Sequence, residues 1–151
     1  MAKPVATRKP SILVVDDVED GRQMLVEYLS FCGFAVLEAR DGAEAIDIAR
    51  RLQPDIILMD LSMPIVDGWE ATRLLKANPL TKDIIILAVT AHAFAAEQES
   101  ARAAGCDSII AKPFDLAVLA RGLDRIISRG LTAFDAREVT APARRRGASD
   151  D

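Results

Sequence analysis

Five polar residues carry the chemistry this sequence could perform, and each follows a short apolar run. Asp16 and Asp17 follow Ile12-Leu13-Val14-Val15, Asp60 follows residues 56–59, Thr90 follows residues 84–89, and Lys112 follows residues 108–111. Three carboxylates gathered in one crevice repel one another, and a hard divalent cation that prefers oxygen ligands relieves the repulsion. Mg2+ suits such a set, because it takes one or two carboxylates and keeps the rest of its shell for water and phosphate oxygens. A carboxylate can also attack phosphorus and form an aspartyl-phosphate. The charge on the transferred group would be met by the cation on one side and by a lysine ammonium and a threonine hydroxyl on the other.

Such a site needs elements that deliver all five residues to one edge. Residues 12–15 form a β-branched and leucine run suited to a strand buried on both faces. Met24, Leu25, Tyr28, Leu29 and Cys32 then recur at helical spacing up to Gly33. A second strand is expected over 34–38, and Asp41 with Glu44 opens a helix carrying Ile46, Ala49 and Leu52. Strands over 56–59, 84–89 and 108–111 alternate with helices over 68–77, which carries Leu74 and Leu75, and 93–104, which stops at Gly105. Asp115 caps a last helix whose Leu116, Leu119, Leu123, Ile126 and Ile127 form one stripe up to Gly130. Five strands alternating with five helices imply parallel pairing through right-handed crossovers, hence an α/β three-layer, doubly wound sandwich. In open parallel sheets ligands bind beyond the carboxyl ends of the strands, where the five polar residues stand. Residues 1–10 read as a flexible leader, 11–130 as the domain, and 131–151, with Arg144-Arg145-Arg146, as a disordered, solvated tail.

Composition narrows the function classes. A chain of 151 residues, half of them apolar and 28% charged, supports one packed soluble domain. With 23 acidic against 19 basic residues the net charge is −4, so no basic field gathers phosphodiester backbones and specific nucleic-acid binding is not expected. Cys32 and Cys106 form no Cys-x-x-Cys, which argues against a redox pair or thiolate metal site; both are expected as small buried hydrophobes in a reducing compartment. The apolar runs fall far short of the roughly 20 residues of a membrane span, and residues 1–10 hold no apolar signal segment. A cytoplasmic chain without membrane contact is the expectation.

The five residues and their flanks resemble the receiver domain of two-component response regulators, of the chemotaxis type with a single domain. Asp60 stands 30 positions before Thr90 and 52 before Lys112, with the acidic pair 43 and 44 positions upstream. Leu58-Met59-Asp60-Leu61-Ser62-Met63-Pro64-Ile65-Val66-Asp67-Gly68 resembles the family's acceptor-strand motif, Val89-Thr90-Ala91 its switch strand, and Ala111-Lys112-Pro113-Phe114 its final strand and turn. The resemblance spans about residues 11–130 and implies a flavodoxin-like strand order 2-1-3-4-5. It also implies that Asp60 is the phosphoacceptor. Asp16, Asp17, Asp60 and the backbone carbonyl of Ser62 would hold Mg2+, Thr90 would bond a phosphoryl oxygen, and Lys112 would pair with the phosphate. The family typically holds the Lys112-Pro113 type of peptide bond cis. The implied donor is a sensor histidine kinase or phosphotransfer protein. The protein would catalyse only its own phosphorylation and dephosphorylation. Output would pass to a downstream protein target, or to a second copy in a homodimer, through the face of the fourth helix, fifth strand and fifth helix. One position departs from the pattern: Ile109 stands where the family often has Tyr or Phe as partner of the threonine.

Other readings are weaker. Asp16-Asp17 alone would suit a helix cap, His92 an exposed helix start, and Trp69 ordinary packing. The side chain of Ser62 could shape access of a hydrolytic water or stay idle. A phosphatase of the haloacid-dehalogenase type wants a second carboxylate two positions after the nucleophile, where Asp60-Leu61-Ser62 has serine. No glycine-rich loop is present to cradle a polyphosphate. The main alternative to a stand-alone regulator is a receiver module of a hybrid kinase or truncated regulator acting in a phosphorelay.

Overall fold

The computed structural model describes residues 9–61, 67–91 and 95–140. Five strands, β1 (Ser11–Val15), β2 (Ala35–Ala39), β3 (Ile56–Asp60), β4 (Ile85–Thr90) and β5 (Ser108–Ala111), form one parallel sheet in the order β2-β1-β3-β4-β5. Between and after them run α1 (Glu19–Phe31), α2 (Gly42–Leu52), α3 (Asp67–Ala77), α4 (Ala95–Ala104) and α5 (Leu116–Arg129). The expected doubly wound α/β fold, with its flavodoxin-like strand order, is the observed one.

Between their ends the inner strands β1, β3 and β4 are apolar because both sheet faces are covered there. Alternate residues divide between two cores. Ile12, Val14, Ile56, Leu58, Leu87, Val89 and Ile110 face Leu25 and Leu29 of α1 and Leu119, Leu123 and Ile126 of α5. Leu13, Val15, Ile57, Met59 and Ile86 face Ala45 and Ala49 of α2 and Ala71 and Leu75 of α3. Most of these strand side chains are fully buried; each buried Leu or Ile contributes roughly 1.5–3 kcal/mol relative to exposure.

Helix ends follow local chemistry. The Asp41 carboxylate accepts the Glu44 N–H at 2.8 Å, and Glu44 reaches back to accept the Arg40 N–H at 2.7 Å, closing the start of α2. Asp115 accepts the Val118 N–H at 3.0 Å and caps α5. Gly33 and Gly105 follow α1 and α4 with φ of 104° and 106°, values in the left-handed region that favour glycine.

The structure departs from the sequence reading in four places. Pro10, expected in the loose leader, lends its carbonyl to the Ala35 N–H at 2.9 Å and so extends the β1–β2 edge. Met24, Leu52 and Leu74, expected in buried stripes, are about half exposed, since each helix buries only the narrow face that meets the sheet. Cys32 is exposed at the end of α1, beyond the reach of the sheet, and Cys106 is only partly buried. The largest difference follows Gly130. Residues 131–140, expected to be solvated, form a short 3-10 turn (Leu131–Ala133) and a sixth helix, α6 (Ala136–Val139). Leu131, Phe134 and Val139 carry enough apolar surface to pack on the α1–α5 core, and Val139 is 1% exposed. The Arg144-Arg145-Arg146 triplet lies outside the described residues.

Candidate functional site

Strand register decides what meets at the carboxyl edge. Val15 stands beside Ala39 and Met59, Asp60 beside Val89, and Thr90 beside Ala111, so the strands end within two residues of one another along the sheet edge, and all except the outer β2 end at or just before a predicted site residue. Side-chain alternation adds direction. Val14, Leu58 and Ile110 share the α1–α5 face, and the positions two residues further along each chain segment are Asp16, Asp60 and Lys112.

The carboxylate oxygens of Asp16, Asp17 and Asp60 lie within 4.8 Å of one another. Asp16 and Asp60 are buried and Asp17 is exposed, so the cluster opens to solvent on one side. Lys112 places its Nζ 3.4 Å from Asp60 Oδ2. Its backbone N–H donates to the Thr90 carbonyl at 2.8 Å, which fastens the start of the Lys112 loop to β4. Thr90 itself is 3% exposed at the strand end. The Lys112-Pro113 bond is cis, as the resemblance implied. Ser62, His92 and Phe94 lie outside the described residues.

Burial pushes the Asp16 carboxyl up to about 6, and the neighbouring Asp60 charge acts in the same direction; the Val18 N–H and Lys112 oppose both. Asp16 accepts that N–H at 2.9 Å, but Val18 is the residue before the first turn of α1, so the bond orients the carboxylate and leaves the turn uncapped. Crowded, desolvated oxygens of this kind fit a hard divalent cation.

Two supporting residues carry no obvious sequence signal for their roles. Arg22 is buried in α1; its Nη1 donates to the Asp16 carbonyl at 2.8 Å and its Nε to Glu38 at 2.9 Å, holding the β1 exit in place. An arginine among the polar residues of an amphipathic helix reads as solvated, and only its long reach back to the sheet gives it this task. Gly68 lets α3 pass close under the acceptor strand, since a Cβ there would stand 2.9 Å from the Asp60 carbonyl oxygen. At Gly21 a Cβ would sit 3.4 Å from Asp16 Oδ2, an ordinary contact that allows other residues.

The response regulator receiver domain family model matches residues 12–124. The chain belongs to that family. This receiver is 36% identical over 106 residues to the polar-differentiation response regulator DivK of Brucella anthropi, spanning 70% of this chain and 86% of DivK. It is similar in structure to the chemotaxis protein CheY4 of Vibrio cholerae, with a TM-score of 0.74 and 29% identity over 79% of this chain and 99% of that one. The receiver domain of a sensor histidine kinase from Pseudomonas aeruginosa PAO1, solved with magnesium coordinated in its active site cleft, is 35% identical with a TM-score of 0.73, covering 80% of this chain and 99% of its own. The receiver is thus a signalling domain of two-component signal transduction. Among the described residues, no helix is long and apolar enough to cross a membrane.

Proposed function

We propose that this receiver works as a cytoplasmic stand-alone response regulator that accepts a phosphoryl group on Asp60 from a histidine kinase or phosphotransfer protein. The observation that carries the reading is the buried Asp60 carboxylate set 3.4 Å from the Lys112 ammonium, inside a three-carboxylate cluster. Likeness to DivK and to CheY4, each matched over most of its own length, supports the stand-alone form.

A carboxylate oxygen of Asp60 would attack phosphorus while the bond from phosphorus to the donor imidazole nitrogen breaks, the nitrogen keeping the electron pair. Lys112 would follow the charge onto the phosphoryl oxygens, and the Thr90 hydroxyl would donate to one of them. In dephosphorylation, water attacks phosphorus and the bond to the Asp60 oxygen breaks, returning the carboxylate. Asp16, Asp17, Asp60 and the Ser62 carbonyl would hold Mg2+, which supplies charge neutralisation to the acidic cluster and the phosphoryl oxygens.

Signal output through the α4–β5–α5 face then depends on Thr90 and its strand. Ile109 pairs with Ala88 in the register, is partly exposed, and lines a groove with Gln98, Arg102 and Cys106. It is β-branched and restricted at χ1, so it offers only a small inward shift in place of an aromatic swing. The 35% identity to a receiver belonging to a sensor kinase keeps the phosphorelay module as the second reading.

Intact-protein mass after incubation with Mg2+ and acetyl phosphate tests the assignment. One added phosphoryl group is expected in the wild type and none in Asp60→Asn; an equal gain in the variant would place the acceptor elsewhere.

A further inference from the structure

Residues 131–140 lie beyond the stretch matched to the family, yet they are built into the domain. Leu131, Phe134 and Ala136 pack on the core that includes α5, and Val139 is buried within it. Phe134 occupies a notch that exists because residue 122 is glycine: a Cβ there would stand 2.8 Å from its ring. The segment then returns to the loop that carries Lys112. The Asp115 N–H donates to the Val139 carbonyl at 2.9 Å, the Thr140 hydroxyl donates to the Ala111 carbonyl at 3.3 Å, and Thr140 bridges Phe114 in antiparallel fashion. Residues 111–115 are therefore gripped from outside by this segment and from inside by the bonds of Lys112 to the Thr90 carbonyl and to Asp60.

We infer that residues 131–140 form a strap whose docking on β5 and α5 is linked to the state of Asp60, tight in the unphosphorylated receiver and loosened by phosphorylation. The inference rests on Asp60 as acceptor. A phosphoryl group added to Asp60 carries negative charge outward along the crevice, so the Lys112 ammonium, 3.4 Å from the carboxylate in the free receiver, is re-aimed toward the new oxygens. That movement is delivered to the Ala111–Lys112 peptide, whose carbonyl holds Thr140. Docked, the strap covers apolar surface of α5 beside the edge strand; loosened, it exposes that surface. Linkage is reciprocal: a strap that favours the unphosphorylated loop disfavours phosphorylation by the same factor.

Amide hydrogen exchange of the full chain with Mg2+, with and without beryllofluoride, tests the strap in the wild type and two variants. Thr140→Val removes the hydroxyl donor, and Gly122→Leu fills the Phe134 notch while favouring the helix. In the wild type, beryllofluoride is expected to speed exchange of the Asp115 amide about tenfold. In both variants that amide should exchange fast without the mimic, and the mimic should bind several-fold more tightly. Unchanged Asp115 exchange alongside new protection around Asp60 would overturn the linkage and leave the acceptor reading intact, as would equal mimic affinity in all three proteins. Absence of beryllofluoride binding to the wild type would overturn both.

Discussion

Asp16 carries the clearest electrostatic cost in the site, because burial and the Asp60 charge raise it from its ordinary value of 3.8 to about 6. A group raised in this way holds its proton more tightly in the folded chain. The stability it contributes is complete below about pH 3.8 and is lost as pH rises through about 6. Asp16→Asn keeps the Oδ1 acceptor for Val18 and removes the charge. In metal-free buffer at neutral pH it should be more stable than wild type by on the order of 2 kcal/mol, with the gain fading near pH 4. Urea unfolding at the two pH values measures this, and equal midpoints at neutral pH would refute the electrostatic account. The cysteines make a second contrast at this scale. Burial pushes the Cys106 thiol up to about 11, whereas Cys32 is exposed. Thiolate is the reactive form, so iodoacetamide at pH 7 should label Cys32 while Cys106 stays unmodified, as peptide mass spectrometry would show.

At the scale of elements, the site depends on how closely α3 and the strand ends approach. Gly68→Ala would gain about 1 kcal/mol of helix propensity but drive a Cβ to 2.9 Å from the Asp60 backbone oxygen. Backbone cannot yield as a flexible side chain does, so a net loss of about 1–3 kcal/mol is expected, with slower phosphorylation of Asp60. Thermal unfolding together with acetyl phosphate labelling would separate the two effects. The opposite edge of the sheet is tied by Lys76, at the end of α3, which donates to the Ile84 carbonyl and to Asp107, both at 2.8 Å. Asp107 in turn accepts the Ile86 N–H at 2.8 Å, so one ion pair joins α3, β4 and the turn before β5. Lys76→Met should cost about 1–3 kcal/mol without altering phosphorylation, because the tie lies a full strand length from the acidic cluster.

For the whole molecule, metal binding and folding are linked by mass action. A cation that binds only the folded receiver stabilises it by about 1.4 kcal/mol at ten times its dissociation constant. Mg2+ should therefore raise the melting temperature of the wild type. Asp17 is exposed, so Asp17→Ala should melt close to the metal-free wild type yet lose most of the Mg2+ shift. Retention of the full shift in that variant would remove Asp17 from the ligand set.

The βα alternation, the caps at Asp41 and Asp115, and the convergence of Asp16, Asp17, Asp60, Thr90 and Lys112 on one sheet edge are legible in the order of residues. Apolar runs long enough to be strands, each ending in a polar residue, leave a parallel sheet few ways to arrange those ends. Packing is what turns Arg22 inward to the β1 exit, sets Gly68 against the acceptor strand and leaves Cys32 facing solvent. The neighbours of Arg22 and Gly68 belong to other elements, and the exposure of Cys32 depends on where α1 ends relative to the sheet, so local periodicity does not encode them. The same limit applies after Gly130. A stretch whose large apolar residues are Leu131, Phe134 and Val139, set among small and polar ones, has no period of its own, so its order arises from the notch at Gly122 and the open edge at Ala111. Those features come into existence once α5 and β5 have packed.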